Sequence, residues 1–290
     1  MEPIVRPRSV HQVTAVIGTG VVAPGALVAS ADDLGLTRGD GVFDAMRVLP
    51  RGDGWEAENL ERHLRRFVRS AAAAELPEPD LGQWREAIAQ AMAACDLEGE
   101  GVLKLVLTRG DDHGTDRTPL GFCTVSPLVP GARRPLAVTT LALGRPSNAF
   151  ADAPWLLGGV KTLSYAVAMA AKREAARRGC DDALYVSTDG VALEATTAAL
   201  LWVDHGVVCS TPSGATGILE SITLAVILDA MAETGTPTDR RLVRAEQLDA
   251  MTGAWLASSA RGVCPIATLD GRRLPADDGW TDRLASAAGF

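Results

Sequence analysis

Only three lysines, Lys104, Lys161 and Lys172, stand among the 28 lysines and arginines of this 290-residue chain. A basic complement so biased toward arginine leaves primary amines scarce. An amine can lose its proton and condense with a carbonyl, which a guanidinium cannot do. Each lysine is therefore a candidate for covalent or proton-transfer chemistry. Lys104 lies in the apolar run 101–108, which reads as a mostly buried strand with a lysine snorkelling from its edge. Lys172 sits between Ala171 and Arg173 in a helical stretch, 166–178, that stops at Gly179, and reads as a solvated helix lysine. Lys161 differs. It follows an apolar run containing Gly158 and Gly159 and precedes that helix by a few residues, with Thr162 or Ser164 available as the cap. Such a strand-to-helix junction can project a side chain into a cleft.

Other residue types add to this lysine. Glu194 ends an apolar run, 191–194, and a strand end can deliver one carboxylate into a cleft or leave it on the surface. Ile222 and Thr223 open a helix, where unbonded N–H groups and the dipole favour an anion and the Thr223 hydroxyl adds a donor. Arg66 sits among Arg62, Arg65 and Arg69, a setting equally suited to one more solvated helix charge.

The elements that must position these residues follow from periodicity and turn chemistry. Residues 13–17 and 25–28 read as a short hairpin, 42–49 as a strand and 51–54 as a turn. Residues 58–75 form an amphipathic helix with Leu60, Leu64, Phe67 and Val68 on one face and Glu61, Arg62, Arg65 and Arg69 on the other. Pro77 and Pro79 end it, and a helix over 81–95 follows. Strands at 102–108 and 121–126 flank a polar loop and complete an α+β unit, residues 1–127. The proline-rich stretch 128–135 reads as a linker. Residues 136–290 form a larger second domain carrying Lys161, with short strands at 183–187, 191–194, 199–203, 207–210 and 254–258 and a helix over 222–234.

Composition bounds the function classes. A hydrophobic share of 47% and a charged share of 22% are those of a soluble globular protein, and a net charge of −8 argues against a nucleic-acid partner. The five cysteines are widely spaced without metal-ligand patterning, so neither a metal site nor a disulfide framework is expected and a reducing cytoplasm fits. No apolar run approaches the ~20 residues that cross a bilayer, so no membrane partner is expected.

Several blocks, in order, resemble the class IV aminotransferases. They are Gly41-Val42-Phe43-Asp44, residues 60–67, Val160-Lys161, Asp189-Gly190-Val191-Ala192-Leu193-Glu194, Thr211-Pro212 and residues 217–223. The resemblance spans nearly the whole chain. It implies an α/β (α+β), two-domain fold type IV architecture like that of D-amino acid aminotransferase, with pyridoxal 5'-phosphate as cofactor. It implies that Lys161 is the Schiff-base lysine and the general acid/base, that Glu194 partners the pyridine nitrogen, and that Arg66 is the phosphate arginine. By the same resemblance Ser221, Ile222, Thr223, Ser258 and Ser259 form the phosphate cup, and Tyr165 is a nearby hydroxyl or a packing residue. Arg47, Arg109 and His113 stand as carboxylate contacts for substrate. The loop 109–114 in this family reaches a neighbouring subunit's site, so a homodimer is expected.

Departures from the family pattern also stand in the chain. Residues 194–199 read Glu-Ala-Thr-Thr-Ala-Ala where the family commonly has Gly after the Glu and an Asn further on, and Ser221 occupies a helix-opening Gly position. The stretches 38–48, 161–166 and 186–190 look most like 4-amino-4-deoxychorismate lyases, which release pyruvate and form 4-aminobenzoate, a folate precursor. The alternatives are an aminotransferase for D-amino or branched-chain amino acids and, from another class, a non-catalytic relative that keeps the fold.

Overall fold

The computed structural model describes residues 12–112, 118–128 and 134–290. The chain divides into two compact units, one comprising residues up to 129 together with Val160–Ser164, the other Pro130–Gly159 and Tyr165–Phe290. The expected linker, 128–135, falls largely outside the described residues.

The first unit is an antiparallel sheet with helices on one face. Its strands are β1 (Val13–Val16), β2 (Gly20–Val22), β3 (Gly41–Arg51), β4 (Gly54–Ala57), β5 (Gly101–Thr108) and β6 (Leu120–Pro127), in the order β2-β1-β6-β5-β3-β4. The short helix α1 (Leu34–Thr37) precedes β3, and α2 (Leu60–Ala73) and α3 (Leu81–Ala93) follow β4. Alternation along β3 turns Val42, Met46 and Val48 into the core with Leu64, Phe67 and Trp84. Phe67 and Trp84 meet edge to face, ring centroids 4.8 Å apart. Lys104 is exposed on β5, an interior strand rather than an edge.

The second unit is built on nine strands. They are β7 (Leu136–Ala142), β8 (Asp182–Val186), β9 (Ala192–Ala195), β10 (Ala199–Asp204), β11 (Val207–Ser210), β12 (Thr238–Arg240), β13 (Gly253–Ser258), β14 (Gly262–Leu269) and β15 (Arg272–Arg273). β10, β13, β14, β7, β8 and β9 pair in sequence, and β9 returns to β10 through Ala199 opposite Glu194, so six strands close into a ring. Closure removes the open edges a flat sheet would leave. The helices are α4 (Ala166–Arg177), α5 (Ile222–Glu233) and α6 (Asp278–Ala287). α5 packs Leu224, Ile227, Leu228 and Met231 against Leu201, Val203, Trp255 and Leu284.

One expectation needs correction. Position in the chain puts Lys161 in the second domain, but its segment belongs to the first unit. Thr162 bridges Val42, Phe43 N donates to Lys161 O at 2.9 Å, and Leu163 N donates to Gly41 O at 2.9 Å. Backbone pairing with β3 overrides sequence neighbourhood. Nor does a strand precede the lysine: residues Pro154–Leu156 make a single 3-10 turn.

Candidate functional site

In the first unit, Lys161 is held by its own backbone. Besides the ladder to β3, its N–H donates to Ser70 Oγ on α2 at 3.3 Å, and its Nζ lies 4.6 Å from the centroid of Phe43. Phe43 is on the face of β3 opposite the helices, because Val42 and Asp44 on either side point into the core. The close approach of this segment requires glycine at 41. A Cβ there would stand 2.7 Å from Leu107 O and 2.7 Å from Leu163 Cδ1.

Behind the lysine segment lies a buried charged cluster. Asp44 has no solvent exposure; its carboxylate accepts from Arg66 Nε at 2.9 Å and Arg66 Nη2 at 2.7 Å and lies 2.7 Å from His63 Nδ1. Burial alone would raise the Asp44 pKa, but the hydrogen bonds from His63 and Arg66 and the Arg66 charge outweigh it and hold the group at about 2. Arg66 is 5% exposed, so it is not one more solvated charge on α2. Its bidentate clasp fixes the guanidinium plane.

The structure places the other arginines elsewhere. Arg47 is 2% exposed and donates from Nε and Nη2 to Glu58 at 3.1 and 2.9 Å, with Glu100 3.6 Å from Nη1. Arg109 donates from Nε to Asp40 at 2.7 Å and from its Nη atoms to Glu75 O and Ala74 O at 2.9 and 2.7 Å. Arg109 thereby ties the C-terminal end of α2 to the turn before β3, where a cation suits the helix dipole. Both guanidinium groups thus have partners within the fold. His113 lies outside the described residues.

In the second unit, β9 presents Glu194, whose Oε2 accepts from Leu219 N at 3.2 Å. Three residues further on, α5 begins. Ser221 is its N-cap, with φ −71° and Oγ accepting from Leu224 N at 3.2 Å. The serine at the glycine position therefore closes the helix end instead of straining it. Thr223 Oγ1 and Ser259 Oγ are 3.0 Å apart, so the helix opening and the β13–β14 corner present adjacent hydroxyls. Ser258 Oγ accepts from Arg261 N at 3.3 Å and belongs to the turn itself. Tyr165, half-buried, precedes α4, its carbonyl accepting from Met169 N at 2.9 Å.

The altered segment after Glu194 is anchored rather than loose. Thr196 Oγ1 donates to the fully buried Asp182 at 2.6 Å, and Asp182 lies 2.7 Å from Arg261 Nη1 in ion-pair contact. One carboxylate thus links residues 194–199 to the Ser258–Ser259 corner. Sequence reasoning missed this link, and it missed Arg145, whose guanidinium lies 4.2 Å over the centroid of Phe150. The Arg66 partners Asp44 and His63 went unassigned too, although their spacing carries a signal. Asp44 shares the core parity of β3 with Val42 and Met46, and His63 and Arg66 are i and i+3 on the facing helix.

A cavity of about 420 Å³ lies over β1 and β6, lined by Thr14, Val22, Leu27, Phe122 and Thr124 among others. None of its lining residues is ionisable, so it holds no acid/base chemistry. Among the described residues there is no cluster of metal-ligating side chains, the five cysteines are free, and no helix is long and apolar enough to cross a membrane.

Residues 41–269 match the family model described as amino-transferase class IV. The chain is 38% identical over 267 residues, 88% of its length and 90% of the relative, to a bifunctional aminodeoxychorismate lyase / D-amino acid transaminase of Mycobacterium tuberculosis. Its fold superposes on a fold IV-transaminase from Curtobacterium pusillum with a TM-score of 0.86, 38% identity, and coverage of 96% of this chain and 99% of that one. A PLP-bound hypothetical aminotransferase from Mycobacterium tuberculosis gives a TM-score of 0.85 at 34% identity, covering 95% and 98%.

Proposed function

From the premise that the chain belongs to the class IV amino-transferase family, we propose that it is a lyase converting 4-amino-4-deoxychorismate to 4-aminobenzoate and pyruvate. It is a pyridoxal-phosphate-dependent enzyme, and its residues fit that cofactor. Lys161 offers a primary amine on a fixed backbone. Glu194 offers a carboxylate aimed by Leu219 N–H. The capped opening of α5 with the Thr223–Ser259 hydroxyl pair offers donors for a phosphate.

When bound, pyridoxal phosphate supplies a conjugated ring that takes up the electron pair left as a bond near the substrate amine breaks. Lys161 would anchor the cofactor through its primary amine and would hold and move the proton at Nζ. The Phe43 ring lies beside that nitrogen, its centroid 4.6 Å from Nζ. Glu194 keeps the ring nitrogen protonated. The N–H groups of Ile222 and Thr223, the Thr223 and Ser259 hydroxyls and Arg66 bind the phosphate, with Asp44 keeping the Arg66 fork in one orientation. In the lyase reaction, loss of a ring proton and departure of the enolpyruvyl group as pyruvate leave an aromatic ring, which drives the step.

The observation that carries this reading is the identity to the Mycobacterium tuberculosis relative along nearly its whole length. The second activity of that relative favours one other reading, amino transfer from D-amino acids. In that reading Lys161 would move the substrate's α-proton at Nζ, the amino group would stay with the cofactor, and water would complete the release of the keto acid. We further propose a homodimer, after the family resemblance of the loop that follows Arg109.

Purified protein mixed with pyridoxal phosphate is expected to show a visible absorbance band that Lys161→Ala abolishes. Pyruvate and 4-aminobenzoate are expected in equal amounts from aminodeoxychorismate. Keto acids from a D-amino-acid panel supplied with a keto-acid acceptor, with no 4-aminobenzoate from aminodeoxychorismate, would replace the lyase reading by the transaminase one, and a wild-type spectrum without the band would overturn both.

A further inference from the structure

A carboxylate taken wholly out of water is retained in a fold only where its oxygens find donors or a counterion. Asp182, the first residue of β8, has no solvent exposure, and its two oxygens reach different segments. Oδ1 accepts from Thr196 Oγ1 at 2.6 Å and from Ala183 N at 2.9 Å. Oδ2 lies 2.7 Å from Arg261 Nη1, in ion-pair contact but out of line for a hydrogen bond. Both atoms of that contact are buried, so breaking it leaves a charge without its counterion.

The two segments so joined are those on which phosphate binding depends. Thr196 is buried in the turn between β9 and β10, where Ala195 N donates to Ala198 O at 2.9 Å and Ala199 stands opposite Glu194. Arg261 ends the turn between β13 and β14, which Ser258 and Gly262 close as a strand pair. Its N–H donates to Ser258 Oγ at 3.3 Å, and Ser259 Oγ stands 3.0 Å from Thr223 Oγ1 at the opening of α5. A turn moves more freely than the strands it joins. Anchoring Arg261 to the buried start of β8 therefore holds the Ser259 hydroxyl against that of Thr223.

We propose that Asp182 is a positioning residue of the phosphate site, tying the turn after Glu194 to the Ser258–Ser259 corner so that the Thr223 and Ser259 hydroxyls stand in place before an anion arrives. The inference rests on those hydroxyls and the opening of α5 being where the cofactor's phosphate binds. Donors fixed in advance bind more tightly, because less ordering is left to be done on binding. The charge of Asp182 acts in the opposite sense, since removing a carboxylate and leaving Arg261 cationic favours an anion nearby. The sign of the change on neutralising Asp182 thus separates positioning from charge.

Pyridoxal phosphate and pyridoxal, the same aldehyde without the phosphate, separate positioning at this corner from general loosening. Their dissociation constants are read from the Lys161-dependent absorbance band. Asp182→Asn keeps the side-chain shape and removes the charge. It is expected to weaken pyridoxal phosphate about tenfold, the size of one lost charge-assisted hydrogen bond, and to leave pyridoxal near its wild-type value. Arg261→Met is expected to give the same selective loss, and the double variant no more than either alone, because the two residues act as one unit. Equal loss for both aldehydes, unchanged binding of pyridoxal phosphate, or tighter binding of it overturns the proposal. Should Asp182→Asn not fold, Thr196→Val takes its place under the same criterion. Inorganic phosphate titrated into the apoprotein and followed by phosphorus NMR gives a reading that needs no aldehyde: weaker binding in the variant supports the proposal, and equal binding overturns it. Failure of the cofactor reading shows separately, as a wild type without a Lys161-dependent band for either aldehyde.

Discussion

Asp44 shows how one residue is decided by its partners. Its carboxylate is fully buried, yet Arg66 and His63 hold its pKa at about 2 against the penalty of burial. The folded-state pKa is depressed from 3.8, so the cluster contributes stability that is full above the unfolded value and is lost as pH falls toward 2. The size of that term is about 2 kcal/mol, from the ~1.4 kcal/mol per pKa unit. Asp44→Asn leaves Arg66 as a buried charge without its counterion, which costs about 3 kcal/mol. Urea unfolding at pH 7 should show that loss, and the gap between the two proteins should narrow as the pH is lowered from 5 to 3. Equal stability at pH 7 would show that the cluster is dispensable. The sequence made Lys161 legible because lysine is scarce in it, whereas the burial of Arg66 was hidden because a guanidinium on a helix surface and one paired inside carry the same letter. Only the parity of β3 against the turn of α2 distinguishes them.

Elements set these residues in place through contacts that leave no room for substitution. Gly158 and Gly217 flank Phe150, Gly159 N donates to Gly217 O at 2.9 Å, and Gly217 has φ +71°. Gly217→Ala therefore meets two obstacles, a left-handed backbone and a ring 2.2 Å from the new Cβ. Gly214→Ala, at φ +81° with open space around it, meets only the first. The expected losses are about 3 kcal/mol for Gly217→Ala and about 1 kcal/mol for Gly214→Ala, read from denaturant midpoints. Similar losses at both positions would show that Phe150 yields. The helices α2, α3, α4 and α5 were legible from apolar spacing and caps. β14 and α6 were not. Pro265 within β14 argues against an interior strand, yet β14 pairs with both β13 and β7. In α6 only Leu284 is buried, which leaves almost no apolar stripe to read. The first hairpin was misplaced as well. Its second strand is Gly20–Val22, close behind β1, and residues 25–28 form no strand.

At the scale of the whole molecule, six strands of the second unit close on themselves, while the sheet of the first packs its helices on one face and turns Thr14, Phe122 and Thr124 to the other. That face carries the cavity over β1 and β6, bordered by Val22, Phe122 and Leu27, and Leu27 is 87% exposed with Val21 at 44%. A neutral concave surface with an apolar rim is the kind of surface that protein association buries. A second copy of this chain is the occupant expected from the family resemblance of the loop after Arg109. Sedimentation velocity should then give a species of twice the 30.3 kDa chain mass that persists on dilution. Leu27→Asp places a charge on the rim, where desolvating it opposes association, and should shift the boundary toward the single chain at low concentration. Because subunits that associate only when folded stabilise one another by mass action, the unfolding midpoint of the wild type should rise with protein concentration more steeply than that of Leu27→Asp. A wild type that sediments as a single chain across the whole concentration range would remove the homodimer from the proposed function while leaving the chemistry of Lys161 and Glu194 to stand on its own tests.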